Sequence, residues 1–325
     1  MRIGLTYDLQ TDPADERQAE FDPPRTLDAL EAALRQLGHT VIRLGDATEL
    51  LAASARLRDV DLVWNLAEGD GGRCREAWVP TLLELWGVPF VGSDALALAI
   101  GLDKLLCKQL ARSSGVVTPR WVEICDPNCL DGVEALRFPL IIKPRYEGSG
   151  LGVDAQALVH DLPSLRRRAR WAIERFAQPC LAEEFVAFGE LTVLLIGNQP
   201  PVALPVVQRP LDAASRLACH VARQGDGATW IAPLELTPAL EHAARGAAVA
   251  MFELLGCRDM ARVDFRVDQD GQPFFLEINP LPSFDPEGTL GLLAESLGTT
   301  YTHLVGRILE AAGRRRQPPM CAAVA

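Results

Sequence analysis

Long apolar runs are missing from this chain. No stretch approaches the about 18 uninterrupted apolar residues that a membrane-spanning helix needs. The opening residues MRIGLTYDL lack the basic and apolar regions of a signal peptide and read as a core strand, so a cytoplasmic protein is expected. Positive charge is also short, with 32 Lys+Arg against 43 Asp+Glu and a formal charge of -11. Without a dense Lys/Arg field, a nucleic-acid or anionic-membrane surface is excluded, because both need clustered cations. The run Arg314 to Arg316 closes a helix-like stretch before Gln317-Pro318-Pro319 and reads as a solvated, frayed end. The 8 cysteines are scattered. Cys125 and Cys129 form the one close pair, with no second pair to complete a zinc site, so all are read as reduced thiols. Internal repeats and low-complexity tracts are absent too, as are the Gly-Lys-Ser/Thr of a P-loop and the helix-opening spacing of a dinucleotide fingerprint.

What is present is a 325-residue chain with 48% hydrophobic residues, enough for two or three cooperating domains. Residues 1–95 alternate strand-like and helical patterns, the spacing of a parallel α/β sheet, with strands at Met1–Tyr7, Val41–Leu44, Asp61–Asn65 and Pro89–Val91. Such sheets bind ligands at their strand ends, which makes Asn65 to Gly69 a candidate substrate loop. Residues 96–186 read as a small α+β unit. They hold one helix carrying Asp103, Lys104 and Lys108, the strand Phe138–Ile142, a helix from about Leu162 to Phe176 and the strand Cys180–Val186. Residues 187–316 hold a hairpin at Leu191–Ile196 and Val202–Val207, the helix Pro238–Leu255, and strands Met260–Val267 and Pro273–Ile278 around the turn Asp268 to Gly271. Residues 317–325 read as a flexible tail.

Two patterns carry chemistry. In the last hairpin, side-chain alternation puts Glu277 and Asn279 on one face, and pairing can bring Asp264 beside them. Two carboxylates and an amide oxygen suit Mg²⁺, with Mn²⁺ as an alternative. The competing reading is a surface hairpin with solvated acids, but the apolar flanks Val263, Phe265, Leu276 and Ile278 favour a packed sheet. The second pattern is Lys143-Pro144 followed by Glu147-Gly148-Ser149-Gly150-Leu151-Gly152, a loop whose backbone N–H groups can approach a phosphate beside a lysine charge.

The order of Lys104, Lys143-Pro144, the Gly-rich loop, Glu183-Glu184-Phe185-Val186, Glu190 and the Asp264/Glu277/Asn279 set resembles an ATP-grasp enzyme. The D-alanine–D-alanine ligase branch is the nearest likeness, through Gly87 to Ser93, Asp103-Lys104 with Lys108, Gly189 to Val193 and Arg262 to Phe265. The likeness implies an ATP-grasp fold, with ATP held between two α+β subdomains behind an N-terminal parallel sheet. It implies a carboxylate–amine ligase working through an acyl phosphate. Lys104 and Lys143 resemble the nucleotide-phosphate lysines, and Gly148, Ser149 and Gly150 the phosphate-covering loop. Glu183, Glu184, Phe185 and Val186 resemble the adenine-binding hinge, and Glu190 the ribose acid. Asp264, Glu277 and Asn279 resemble the metal ligands. Arg262, with Ser149, resembles the catalytic pair, and a homodimer joined by the first domain is implied. Lys108 is alternatively a solvated helix residue, and Glu184 a surface partner of its neighbour.

The chain departs from that branch at its substrate ends. Gly4 to Gln10 lacks the Gly-Gly-x-Ser-x-Glu stretch of true D-alanine–D-alanine ligases, Pro282 to Pro286 replaces a Pro-Gly-Met-Thr turn, and 208–229 lacks the family's Lys-Tyr pair. Substrates other than two D-alanines are therefore expected, with Glu68, Arg73 and Ser283 as candidate contacts. Arg75 and Glu76 read equally as site residues or exposed helix charges. A small-molecule kinase, an authentic D-alanine–D-alanine ligase and a non-catalytic nucleotide binder remain the competing readings.

Overall fold

The structure is a computed structural model that describes residues 1–218 and 230–315. The expected tail at 317–325 and the end of the polar stretch 208–229 lie outside the described residues. Three sheets organise the chain. The first comprises β1 (Arg2–Tyr7), β2 (Thr40–Gly45), β3 (Leu62–Leu66) and β4 (Phe90–Val91), all parallel in the order β2-β1-β3-β4. β3 is buried along its whole length, as a strand covered on both faces must be. Helices α1 (Pro24–Gln36), α2 (Ala47–Ala52) and α3 (Trp78–Trp86) connect the strands. Pro24 opens α1 at a position where a missing N–H is harmless, and Gly87 closes α3 in the left-handed region at φ 66°.

The helix expected to carry Asp103, Lys104 and Lys108 is two helices, α4 (Ala95–Leu102) and α5 (Lys104–Ser113). Asp103 is the reason: its carboxylate accepts from the backbone N–H groups of Leu105 and Leu106 and so starts a new helix. The second sheet, in the order β5-β8-β6-β7, is formed by β5 (Trp121–Ile124), β6 (Leu140–Pro144), β7 (Leu158–Val159) and β8 (Cys180–Glu184), backed by α6 (Leu162–Phe176). Neither β5 nor β7 was expected from the sequence.

The third sheet places β9 (Gly189–Ile196) between β12 (Met260–Val267) and two short strands, β10 (Val202–Ala203) and β11 (Val207–Gln208). β13 (Pro273–Asn279) completes it beside β12, and α7 (Pro238–Leu255) covers one face. The expected hairpin partner at 202–207 is thus split into β10 and β11, on either side of Pro205, which has no N–H to donate. Two closing helices, α8 (Thr289–Ser296) and α9 (Tyr301–Arg314), return to the start of the chain. Leu304, Val305, Ile308 and Leu309 of α9 share one core with Ile3, Leu27, Leu30 and Leu34. The first sheet therefore owes part of its core to the last helix. Among the described residues no helix is long and apolar enough to cross a membrane, and six cysteines are free thiols.

Candidate active site

A cavity of about 490 Å³ opens where the three sheets meet, and most residues singled out above line it. Its floor is the β12–β13 ladder, in which Asp264 stands opposite Glu277 and Arg262 opposite Asn279. Alternation sends these four side chains to the cavity, while Val263, Phe265 and Ile278 enter the core at no more than 2% exposure. The ladder slips between Asp264 and Phe265, and Leu276 is the extra residue. As a result Leu276 and Glu277 both reach the cavity wall.

Each member of the floor has a partner. Thr192 on β9 donates to Asp264 Oδ1 at 2.7 Å, and Arg262 Nε donates to Oδ2 at 2.9 Å. Arg209 Nε donates to the Thr192 hydroxyl at 3.2 Å. Lys104 Nζ lies 3.4 Å from Glu277 Oε2. Burial pushes the Glu277 carboxyl up, but Lys104, Lys143 and Arg262 outweigh it and hold it at about 2. The Asn279 amide oxygen accepts from Leu281 N at 3.0 Å, which fixes the amide's orientation. Two carboxylates and an oriented amide oxygen on one wall are hard donors that fit a divalent cation of the Mg²⁺ type. Among the described residues no three His, Cys, Asp or Glu side chains gather for a metal, so the amide is needed to complete this donor set.

The roof comes from the second sheet. Glu183 of β8 sits between Lys143 Nζ at 2.9 Å and Lys108 Nζ at 3.1 Å, and is itself 0% exposed. Lys108 is 0% exposed and also donates to Thr118 Oγ1 at 2.9 Å, so the solvated-helix reading of Lys108 is corrected. Burial lowers the Lys108 ammonium to about 8. Burial works against the charge on Glu183 as well, but the two lysines hold its carboxyl below the ordinary range. Glu184 accepts from Arg137 N at 2.9 Å and lies 3.6 Å from Arg120, while Phe185 and Val186 continue the cavity wall. Glu190 pairs with Arg266 at 3.0 Å, and Arg266 also donates to the Val186 carbonyl at 2.7 Å.

The Gly-rich loop reaches across to the segment between β1 and α1. Gly148 N donates to Glu20 Oε1 at 2.8 Å, and a β-carbon at Gly148 would fall 2.2 Å from that oxygen. Lys104 Nζ donates to the Glu147 carbonyl. Ser149 stands at the loop's tip with φ 47° and lines the cavity with Gly148 and Gly150. A β-carbon at Gly152 would meet Pro144 and Phe176 within 2.8 Å, so only glycine keeps this end of the loop.

At the far end the cavity is lined by Glu20, Asp22, Glu68, Glu76, Ser283 and Asp285. Arg75 and Glu76 are 4% and 6% exposed, which removes the exposed-helix alternative for both. Arg75 pairs with Glu20, lies 3.7 Å from Glu147 and donates to the Tyr146 carbonyl at 2.9 Å. Arg73 is not brought to this wall: it is exposed, with its guanidinium 5.9 Å from the Tyr146 ring centre. Sequence reasoning missed Glu20, Asp22 and Arg209. Their distance along the chain from every motif leaves no local signal, apart from Asp22 standing before the Pro23-Pro24 helix start.

Comparison with known proteins places this geometry in context. Residues 110–310 match the family model described as D-ala D-ala ligase C-terminus. An uncharacterized protein of Sinorhizobium fredii is 34% identical over 303 residues, covering 90% of this chain and 88% of its own. A D-alanine–D-alanine ligase of a Synechococcus species is 32% identical over 294 residues, covering 89% and 88%. The crystal structure of the D-alanine–D-alanine ligase from Bacillus anthracis complexed with ATP superposes with a TM-score of 0.77 at 25% identity, over 97% of this chain and 98% of that one.

Proposed function

The chain belongs to the D-alanine–D-alanine ligase family of ATP-grasp proteins, and on that premise we propose that it joins a carboxylate to an amine with ATP, forming ADP, on amino-acid-like substrates other than two D-alanines. The observation that carries the reading is the shared wall. Asp264 opposite Glu277, Arg262 opposite Asn279, Lys104, Lys143 and the loop Gly148–Gly150 all face one cavity. Lys104 and Lys143 hold the nucleotide phosphates, the loop covers them, and Glu183 through Val186 with Glu190 seat the adenosine. Asp264, Glu277 and Asn279 would hold Mg²⁺, which supplies charge neutralisation on the phosphate oxygens when bound.

A carboxylate is a poor electrophile, so its oxygen first takes the γ-phosphoryl group and ADP leaves. The amine then attacks the acyl carbon, phosphate departs, and the amine gives up a proton as the amide forms. Arg262 would offset the charge on the tetrahedral oxygen, and its bond to Asp264 keeps it aimed. Ser149 at the loop tip would lend a hydroxyl beside the transferred group. The closed loop would shield the acyl phosphate from water. Three structural units, 1–95, 96–186 and 187–316, and a homodimer joined by the first, are proposed with this reading.

The unusual substrate end supports the exclusion of two D-alanines: Gly4 to Gln10 and Pro282 to Pro286 depart from the family pattern, and acids crowd the wall between them. The deciding experiment measures ADP release with Mg²⁺ and ATP against amino acids, dipeptides and small carboxylates, singly and in pairs, with amide detection by mass spectrometry and an Asp264→Asn control. Release that needs an acid and an amine together, absent in the control, is expected. Release with one compound alone, without an amide, would replace the ligase by a kinase.

A further inference from the structure

The acidic end of the cavity holds carboxyl groups that the fold does not use. Asp22 is 7% exposed and Glu76 6% exposed, both line the cavity, and neither side chain makes a hydrogen bond or ion pair among the described residues. Glu68 faces the same space and likewise makes none. Buried carboxylates are ordinarily partnered, because desolvating a charge without an opposite one is costly. The neighbouring Glu20 shows the contrast: it accepts from Gly148 N and pairs with Arg75, so the acid with a structural task has its partners. Asp22 feels Asp285 and Asp8, Glu68 feels Glu76, Glu20 and Asp22, and Glu76 feels Glu20 and Glu277, all of the same sign, against the pull of Arg75 on both glutamates and of Lys104 on Glu76. The nearby cations are committed. Arg75 is engaged by Glu20 and the Tyr146 carbonyl, and Arg25 lies 2.6 Å from Asp285 at the exposed rim. The set borders the reacting centre, since Glu68 feels Arg262 and Glu76 feels Lys104 and Glu277.

We propose that this end of the cavity receives a cationic side-chain group of the substrate, an ammonium or guanidinium carried in addition to its α-ammonium and α-carboxylate, with Asp22, Glu68 and Glu76 setting the preference. The inference rests on the ligase reading for the identity of the substrate, but not for the cation itself. The missing partner of the three acids arrives with the ligand, whose positive charge favours their ionised forms, and a substrate with an extra carboxylate finds no free cation there.

The test compares length-matched amino acids on the full-length protein: ornithine and lysine against norleucine and 2-aminoadipate, and arginine against citrulline, each enantiomer with the same panel of co-substrates, Mg²⁺ and ATP. The cationic member of each set is expected to give the higher kcat/KM for ADP release. Asp22→Asn and Glu76→Gln should each raise its KM on the order of 30-fold, the scale of losing one side of a buried charge pair, and change the neutral member's KM far less, so that the cationic preference shrinks. Preference for the neutral or acidic member, or a cationic preference unchanged in both variants, overturns the proposal. Thermal melting with lysine, ornithine or arginine alone separates the two readings. Stabilisation of the wild type that both variants lose, without any ADP release, keeps the cation subsite and removes the ligase. Amide formation with neutral substrates only keeps the ligase and removes the subsite. Where a variant fails to fold, Glu68→Gln and the wild-type discrimination decide.

Discussion

Glu183 and Glu76 are both buried glutamates on the wall of one cavity, yet the first is held below the ordinary carboxyl range and the second is pushed up to about 8. Burial acts in the same direction on both. The difference lies in the neighbours: Glu183 has two lysine nitrogens within 3.1 Å, while Glu76 has Glu20 and Glu277 working against the pull of Arg75 and Lys104. The same contrast separates Glu277, held at about 2 by three cations, from Asp22, raised to about 7 by burial and by Asp285 and Asp8. One end of the cleft is therefore complete in charge without a ligand, and the other is not. On the proposed reading, the pre-paired end takes the phosphates and metal, and the unpaired end is where a substrate is told apart from its analogues.

The largest way to break this comparison is to remove the floor's charge. Asp264→Asn or Glu277→Gln is expected to lower kcat for ADP formation on the order of 10²–10³-fold, with the fold kept, as read by steady-state kinetics and circular dichroism. Wild-type turnover in both would remove the metal reading of the hairpin. Next in size, Lys108→Met leaves Glu183 with one lysine in a buried site. A loss of about 3 kcal/mol in urea unfolding is expected, since breaking a buried pair strands the other charge. A variant as stable as the wild type would mean that Lys143 alone suffices.

The pH dependence of stability should differ between the ends. Asp22 has a folded pKa above its unfolded value, so between pH about 4 and about 7 the native state holds the extra proton. Stability from this group is therefore lost as pH rises through that window, on the order of 1–3 kcal/mol, and Asp22→Asn should melt higher than the wild type at pH 8 but not at pH 4. Glu277 has the opposite sign: its folded pKa is depressed, so its contribution is present above the ordinary carboxyl range and fades as pH falls towards about 2. Equal melting curves for Asp22→Asn and the wild type across pH would show that Asp22 is not strained when charged. The smallest effect is expected at Arg73, exposed and outside the cavity: Arg73→Ala should leave every KM within about twofold, because exposed charges contribute little.

Local spacing made several of these residues readable before the fold was in view. The period of two along Arg262 to Phe265 and Leu276 to Asn279 separates cavity face from core face, and the observed register puts Asp264 against Glu277. The Gly-rich loop after Lys143 was legible because glycines cluster where a backbone must approach something closely. Asp103 as a helix start was missed because the apolar pattern runs through it on both sides, and only its side-chain bonds reveal the break. Arg75 and Glu76 were ambiguous because a charged pair at the start of a helix looks alike whether solvent or another segment lies over it.

By itself, then, the sequence showed most of the longer strands and helices, the apolar side of the β12–β13 hairpin, and the order of lysines, glycine loop and acids that marks the family. Periodicity and motif order are properties of neighbours along the chain, and they survive without coordinates. Only the tertiary structure decided which charges are paired. The bond from Gly148 to Glu20 spans 128 residues and that from Thr192 to Asp264 spans 72, and α9 closes the core begun by β1. Coulomb energy depends on distance through space and on burial, so the paired floor and the unpaired acids at the far end came into view only with the fold.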